Sequence, residues 1–295
     1  MSFSLLSYAK INWTLRVLGK RDDGYHELCT VFQTVSLHDT LTFEESDRLE
    51  LTCDDPQIPV DDSNLIIKAA LALQEMIPST RGRGAKIHLE KRIPSPGGLG
   101  GGSSNATVAL IGLRRLWDLD PRIDLRGFAD ELGSDTSFFL HGGTAIGMGR
   151  GEQIEPITDK SEQNLLIITP RIDIATKDVF ARLNAPTLTN NELEHNLSVC
   201  RTEAASIVDG RSELRNDLES TVFAMHPEVE RVKQTLLKLG AVSAAMSGSG
   251  ASVFAVFDNR ETRQTALDAL DIERDWRKFA VATVSRDEYR EALRC

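Results

Sequence analysis

Five of the six residues from Gly97 to Gly102 are glycine, and Ser103 and Ser104 follow at once. A backbone without Cβ atoms can take positive φ and lets a ligand approach closely. The next residues read as a helix, with Ala106, Ala109, Leu110, Leu113 and Trp117 on its buried stripe. A helix N-terminus offers unpaired N–H groups and the positive end of a dipole, and the two serines add hydroxyl donors. The chemistry indicated is phosphate binding. A merely flexible loop is the plain alternative, but it does not explain glycines set directly against a serine-capped amphipathic helix.

Two familiar phosphate loops are excluded. A Walker loop ends in Gly-Lys-Ser/Thr because its lysine reaches the terminal phosphates, and here Gly102 is followed by Ser103. The dinucleotide fingerprint requires glycine at its sixth position, where Gly98-x-Gly100 is followed instead by Ser103, and no βαβ unit with a later acidic residue accompanies it.

Other groups could supply the rest of a phosphate chemistry. Alternation at the N-terminus places Ile11, Trp13, Leu15 and Val17 on one face of a strand and Tyr8, Lys10, Asn12 and Thr14 on the other, so Lys10 and Asn12 point together. Lys10 is then either a solvated strand lysine or a cation for a transferring phosphate. Asp135 has two readings, an N-cap before Thr136 or a carboxylate that accepts a substrate proton. Tyr25 and His26 either pack against the protein or meet a ligand. No candidate nucleophile stands beside a base, so a covalent phosphoenzyme is not expected.

Elements must position these groups. The run Lys20 to Gly24 reads as a turn, with strands resuming at Val31 to Val35 and Leu41 to Phe43. Asp62-Ser63-Asn64 offers caps for a helix beginning at Leu65, and Leu125 to Leu132 reads as a short helix stopped by Gly133. The texture changes near Asn164, which places one domain at 1–160 and a second at 161–295. The second contains a helix from Pro227 to Leu239 and a glycine turn, Ser247 to Gly250, entering an alternating apolar strand through Phe257. Pattern alone supports a mixed α and β fold.

Composition narrows the class. The 295 residues carry 34 Lys plus Arg against 44 Asp plus Glu, and the net charge of -10 opposes nucleic acid. An anionic ligand must therefore be met locally. No run approaches a membrane span, and no leader is evident. Cys29, Cys53, Cys200 and Cys295 are widely spaced without CxxC, which implies neither a zinc knuckle nor a disulfide framework and fits a reducing cytoplasm. Asp54-Asp55 and Asp61-Asp62 lie among turn residues and are read as solvated loop, so no metal ligands are assigned. Nothing in the sequence specifies an oligomeric state.

The full pattern Pro94-x-x-x-Gly98-Leu99-Gly100-Gly101-Gly102-Ser103-Ser104-x-Ala106 resembles the ATP loop of the GHMP kinase superfamily, whose other signatures match the Lys10 strand and the turn Ser247 to Ala251. The resemblance implies an α+β fold in two domains, the first like the second domain of ribosomal protein S5 and the second ferredoxin-like, with the site between them. It implies ATP along Pro94, Ser95, Pro96, Gly97, Gly98, Leu99, Gly100, Gly101, Gly102, Ser103 and Ser104, with Asn64 beside them. Magnesium would be carried mainly by the nucleotide's phosphates. It makes Asp135 the catalytic carboxylate with Lys10 as its neighbour.

Within the superfamily, Ala9-Lys10-Ile11-Asn12, Arg21-x-Asp23-Gly24-Tyr25-His26-Glu27-Leu28, Asn64-Leu65-Ile66-x-Lys68-Ala69 and Gly142 to Glu152 resemble kinases whose small-molecule substrate carries a cytidine diphosphate group. That likeness implies substrate contacts at Asn12, Tyr25, His26, Thr176 and Phe180. The rivals are a kinase of another alcohol such as homoserine or mevalonate, and a non-catalytic nucleotide binder. One departure is plain. The family's Asp-Val-Pro-Phe-Phe is Asp135-Thr136-Ser137-Phe138-Phe139 here, so the loop lacks a proline's fixed φ and is less rigid; the plain alternative is that Ser137 caps the next segment equally well.

Overall fold

The turn at residues 21–25 reverses two long strands, β1 (Ser2–Lys20) and β2 (His26–Glu44), which pair antiparallel along almost their whole length. The two strands expected at Val31 to Val35 and Leu41 to Phe43 are thus one continuous β2. The computed structural model describes residues 2–183, 185, 190–210 and 213–294, with backbone alone for 190–196. The remaining strands are β3 (Leu49–Cys53), β4 (Ala85–Glu90), β5 (Thr144–Gly149), β6 (Gln153–Pro156), β7 (Leu165–Pro170), β8 (Arg215–Asn216), β9 (Ser243–Met246), β10 (Val253–Val256) and β11 (Trp276–Val281). The helices are α1 (Leu65–Met76), α2 (Gly101–Leu116), α3 (Arg126–Leu132), α4 (Thr176–Arg182), α5 (Asn190–Val208), α6 (Glu219–Met225), α7 (Pro227–Lys238), α8 (Arg260–Ala269) and α9 (Arg286–Leu293).

The first sheet runs β3-β4-β2-β1-β8, with β5 also on β2 and β6 beyond it. The β1–β2 register shifts twice beside the site: Ser36 and Leu37 are extra on β2 opposite Tyr8 and Ala9, and Trp13 is extra on β1 between Asn12 and Thr14, a bulge that re-aims the β1 side chains around it. Helices α1, α2 and α3 bury their apolar residues on this sheet, in one core with Leu41, Phe43 and Ile87. Asn64 caps α1 as expected, its side chain accepting from the Ile66 N–H. Helix α2 departs from the expected single stripe: residues 104–113 are all buried. It lies so close to the sheet that a Cβ on Gly112 would fall 2.3 Å from the Phe43 ring.

The second sheet is antiparallel in the order β11-β7-β10-β9. With α7 before β9 and α8 before β11, its main elements follow the ferredoxin-like β-α-β-β-α-β plan. The alternation expected for β10 is replaced by burial on both faces. Val253 and Ala255 pack under α7 and α8, while Phe254 enters the core shared with β1, where its ring meets Trp13 edge-on at 5.5 Å. A strand covered on both sides reads as a continuous apolar run.

Strand β6 ends at Pro156 and β7 begins at Leu165, on either side of residue 160. Two elements of the later half pack with the first sheet: β8 pairs in parallel with β1, and α9 sends Tyr289 and Leu293 into the first core. Cys29, Cys53 and Cys200 are free thiols, and Cys295 lies outside the described residues. No described helix is long and apolar enough to cross a membrane.

Candidate active site

Lys10 is the most constrained charge at the junction of the two sheets. Its side chain is 3% exposed, and its Nζ donates to Asn12 Oδ1 at 2.8 Å and stands 3.4 Å from Asp135 Oδ2. A buried ammonium needs such partners, since desolvation without them is costly. The Lys10 backbone N–H donates to Leu99 O at 2.9 Å, which ties the strand to the glycine loop. Lys10 is therefore not the solvated strand lysine.

Asn12 fastens the second glycine turn to the first sheet. Its Oδ1 also accepts from the Gly248 N–H at 2.9 Å, and its Nδ2 donates to Thr30 Oγ1 at 2.7 Å. One Nδ2 hydrogen is left for a ligand. From the other side, Asn216 on β8 donates to Met246 O and Gly248 O at 2.7 and 2.8 Å.

The glycine loop lies against this turn. Ser247 Oγ donates to Gly98 O at 2.9 Å, and the Ser252 N–H donates to Gly97 O at 3.2 Å. Gly98 has φ +71°, and a Cβ there would fall 2.1 Å from Ser247 O, so glycine is demanded twice over. Gly100, with φ +70°, is the N-cap of α2 and makes no side-chain cap bond. The expectation of a serine cap is corrected accordingly: the helix starts at Gly101, and both serines lie inside its first turn. Ser103 faces the cavity, whereas the buried Ser104 hydroxyl accepts from Ser7 Oγ at 2.8 Å and is turned away from it.

The other expected loop residues divide by position. Pro96, Gly98, Gly100 and Ser103 line the cavity beside Lys10, while Pro94 and Ser95 line a groove shared with Gln57 and Arg277. Leu99 is buried, Gly101 packs on Ile93, and Gly102 borders Leu65 at the start of α1. Asn64 does not line the cavity. Its carboxamide is engaged by the Ile66 N–H and by Pro59 O.

Asp135 sits in the turn between α3 and Phe138. It caps nothing, because the short 3-10 turn after it has Ser137 at its N-cap position. Ser137 does not cap either, and its hydroxyl donates to Asp130 on α3. Thr107 of α2 donates to Thr136 O at 2.9 Å. The loop without its proline is thus held by side-chain bonds at the Thr136 carbonyl and at the Ser137 hydroxyl. Asp54, Asp55 and Asp61 accept backbone N–H bonds from Lys91, Gln57 and Ser63, as turn residues do.

Two cavities meet here. The first, about 310 Å³, is lined by Lys10, Asn12, Thr30, Asp135, Ser103 and both glycine turns. The second, about 680 Å³, is lined by Tyr25, His26, Lys20, Lys177, Thr176 and Phe180. Leu28, Ser134, Arg150, Thr176 and Phe180 belong to both. The structure therefore brings Tyr25, His26, Thr176 and Phe180 together: His26 packs on the Phe180 ring at 5.1 Å, and Thr176 Oγ1 lies 2.7 Å from Ser249 Oγ. Burial, and then the charge of Lys20, holds the His26 imidazolium below its ordinary pKa.

The charged residues of the Arg21 to Leu28 tract build the turn rather than line the cavity. Arg21 pairs with Glu27 at 2.9 Å and Asp23 at 3.1 Å, and Glu27 Oε1 accepts from the Gly149 N–H at 3.0 Å. Arg150, absent from the expected site, stands at the mouth between the cavities with its guanidinium 5.0 Å from the Tyr25 ring. Its place in a Gly-Arg-Gly tract was the available signal. Asn216 gave none, in a strand of only two residues.

Comparison with known proteins fits this geometry. The GHMP kinases N terminal domain model matches residues 64–143, and the GHMP kinases C terminal model matches 203–274. The class is thus a GHMP kinase. A 4-diphosphocytidyl-2-C-methyl-D-erythritol kinase of Solibacter usitatus is 38% identical, covering 98% of this chain and 91% of the relative. One of Thermoanaerobacter pseudethanolicus is 36% identical, covering 90% of each. A crystal structure of 4-(cytidine 5'-diphospho)-2C-methyl-D-erythritol kinase superposes with TM-score 0.78 at 30% identity, over 95% of this chain and 99% of that one. The chain belongs to this family of GHMP kinases.

Proposed function

We propose that this enzyme transfers the terminal phosphate of ATP to the 2-hydroxyl of 4-diphosphocytidyl-2-C-methyl-D-erythritol, a step of isoprenoid precursor synthesis that does not pass through mevalonate. The observation that carries the reading is the joined pair of cavities, one walled by a phosphate-type loop, Lys10 and Asp135, the other by Tyr25, His26 and Phe180. A substrate with a base at one end, a diphosphate in the middle and a hydroxyl at the other fits that sequence of surfaces. Arg150 and Lys177 then lie where the diphosphate passes.

The first N–H groups of α2, which have no intrahelical acceptor, receive the phosphates of ATP. Asp135 receives the proton of the attacking hydroxyl, and Lys10 steadies the charge on the transferring group. No group of three His, Cys, Asp or Glu suited to a metal occurs among the described residues. A magnesium ion would therefore be held chiefly by ATP and water, and the cavity-facing Ser103 hydroxyl fits as a protein oxygen for it. When bound, it neutralises phosphate charge. Neutral His26 meets the polar edge of cytosine while the aromatic walls take its faces. We assign the enzyme to the cytoplasm, with its supply of ATP.

The test is ADP release with ATP, magnesium and the cytidine substrate, beside the same diphosphate alcohol lacking cytidine. Turnover of the first alone is expected. Equal turnover of both would remove the aromatic cavity from the reading, and ATP binding without turnover of any alcohol would leave a non-catalytic nucleotide binder.

A further inference from the structure

We propose that Tyr289, on the C-terminal helix, is a positioning residue for phosphoryl transfer that holds the Asp135 turn against the glycine loop. The proposal rests on the reading of Lys10 and Asp135 as the reacting pair.

Phe139 closes the turn that Asp135 begins. Its ring is fully buried and sits 3.0 Å from where a Cβ on Gly100 would be, and Lys10 Cγ is also 3.0 Å from that point. The start of α2, the stem of Lys10 and the Phe139 ring thus share one contact. Phe138, beside it, stacks on Phe32 at 4.9 Å, and Lys10 Nζ lies 5.5 Å from the same Phe32 ring. A displacement of residues 138–139 therefore disturbs Lys10 and the helix start together with Asp135.

Tyr289 fixes that segment from behind. Its buried hydroxyl donates to Phe139 O at 2.6 Å. Its ring fills the space over Gly142, where a Cβ would fall 2.3 Å from it. Both the turn and its exit are gripped by one side chain. Helix α9 is itself anchored by the Arg286 N–H on Asp159 Oδ2 at 2.8 Å and by the Val284 N–H on Thr34 O at 2.9 Å, bonds that do not depend on the Ser285/Glu288 capping box at its first turn. The tail of the chain, far from the glycine loop in sequence, in this way transmits the position of β2 to the catalytic turn. Reacting groups displaced by about 1 Å can lose ~10²-fold in rate, even when the cause lies far from the chemistry.

The experiment compares Tyr289→Phe with Ser285→Ala in the full chain, measuring kcat, both KM values and the melting temperature. Tyr289→Phe keeps the ring and removes only the hydroxyl. Its kcat should fall about tenfold while each KM stays within about twofold, the pattern of an interaction needed in the transition state. Ser285→Ala removes the capping box but leaves the Arg286–Asp159 and Val284–Thr34 anchors and the Tyr289 bond to Phe139 O in place, so at an assay temperature well below melting its kcat should stay near wild type. An unchanged kcat in Tyr289→Phe overturns the proposal, as does an equal loss in Ser285→Ala. If Asp135→Asn retains wild-type turnover, the underlying reading fails as well. If Asp135→Asn is inactive and Tyr289→Phe unaffected, only the present proposal fails.

Discussion

The two cavities are built on opposite principles. Around Lys10 nearly every polar group is already bonded: Asn12 to Lys10, Gly248 and Thr30, Ser247 to Gly98, and Thr107 to the Thr136 carbonyl. Around Tyr25 the walls are rings and long cations, and Tyr25 itself is 56% exposed. Charge that appears only in a transition state is best met by groups that need not reorganise, so the phosphate side must be fixed beforehand. A base brings flat faces and fixed edges of its own. Its pocket can rely on ring contact, with less preorganisation.

The largest effect should come from breaking the fixed side. Asp135→Asn keeps the shape of the side chain but removes the proposed proton acceptor and the negative partner 3.4 Å from Lys10. We expect kcat to drop by ~10²–10⁴, with ATP affinity by calorimetry near wild type, because the helix N-terminus is untouched. Wild-type turnover in this variant would show that the substrate's own phosphates take the proton.

A smaller effect should appear on the ring-walled side, and it should depend on pH. His26 has its pKa lowered, first by burial and then by Lys20, so the neutral ring persists to lower pH than in a free histidine. Binding through the neutral form is complete above the ordinary value of about 6.5 and is lost only as pH falls through the lowered one. The KM for the cytidine substrate should stay flat from neutral pH down through that ordinary value and rise only below it. The KM for ATP should not follow. His26→Gln should abolish the rise; its survival would assign the titration to another group.

What was legible in the sequence was what short-range rules encode. The Asn64 cap, the stop at Gly133 and the glycine turn at residues 247–250 follow from residues acting on their own backbone neighbours. The pairing of Lys10 with Asn12 follows from the period of a strand. The misreadings concern hydroxyls with distant partners. Ser104 was expected to face phosphate and instead bonds to Ser7, and Ser137, a possible cap, reaches back to Asp130. A serine's local preference is weak, so tertiary contact decides its use. Asn216 and Tyr289 were invisible for the same reason: each acts on a backbone carbonyl that only the folded chain brings near.

The smallest predicted effect tests how complete the preorganisation of the phosphate side is. Thr136, next to Asp135, is fully buried, and its Oγ1 has no hydrogen-bond partner among the described residues. Its backbone carbonyl, by contrast, is held by Thr107. Leaving a buried hydroxyl unpaired costs about 1–3 kcal/mol, whereas valine has nearly the same shape and nothing to satisfy. Thr136→Val should therefore stabilise the protein by about 1 kcal/mol, a rise in melting temperature of roughly 2–4 °C for a chain of this order of size. Turnover should stay within about twofold, since Asp135 and the Thr107 bond remain. A fall in melting temperature would mean that the hydroxyl is satisfied by ordered water and that this side is more completely bonded than its protein contacts alone indicate. A loss of turnover at unchanged stability would give the Thr136 hydroxyl itself a part in holding Asp135.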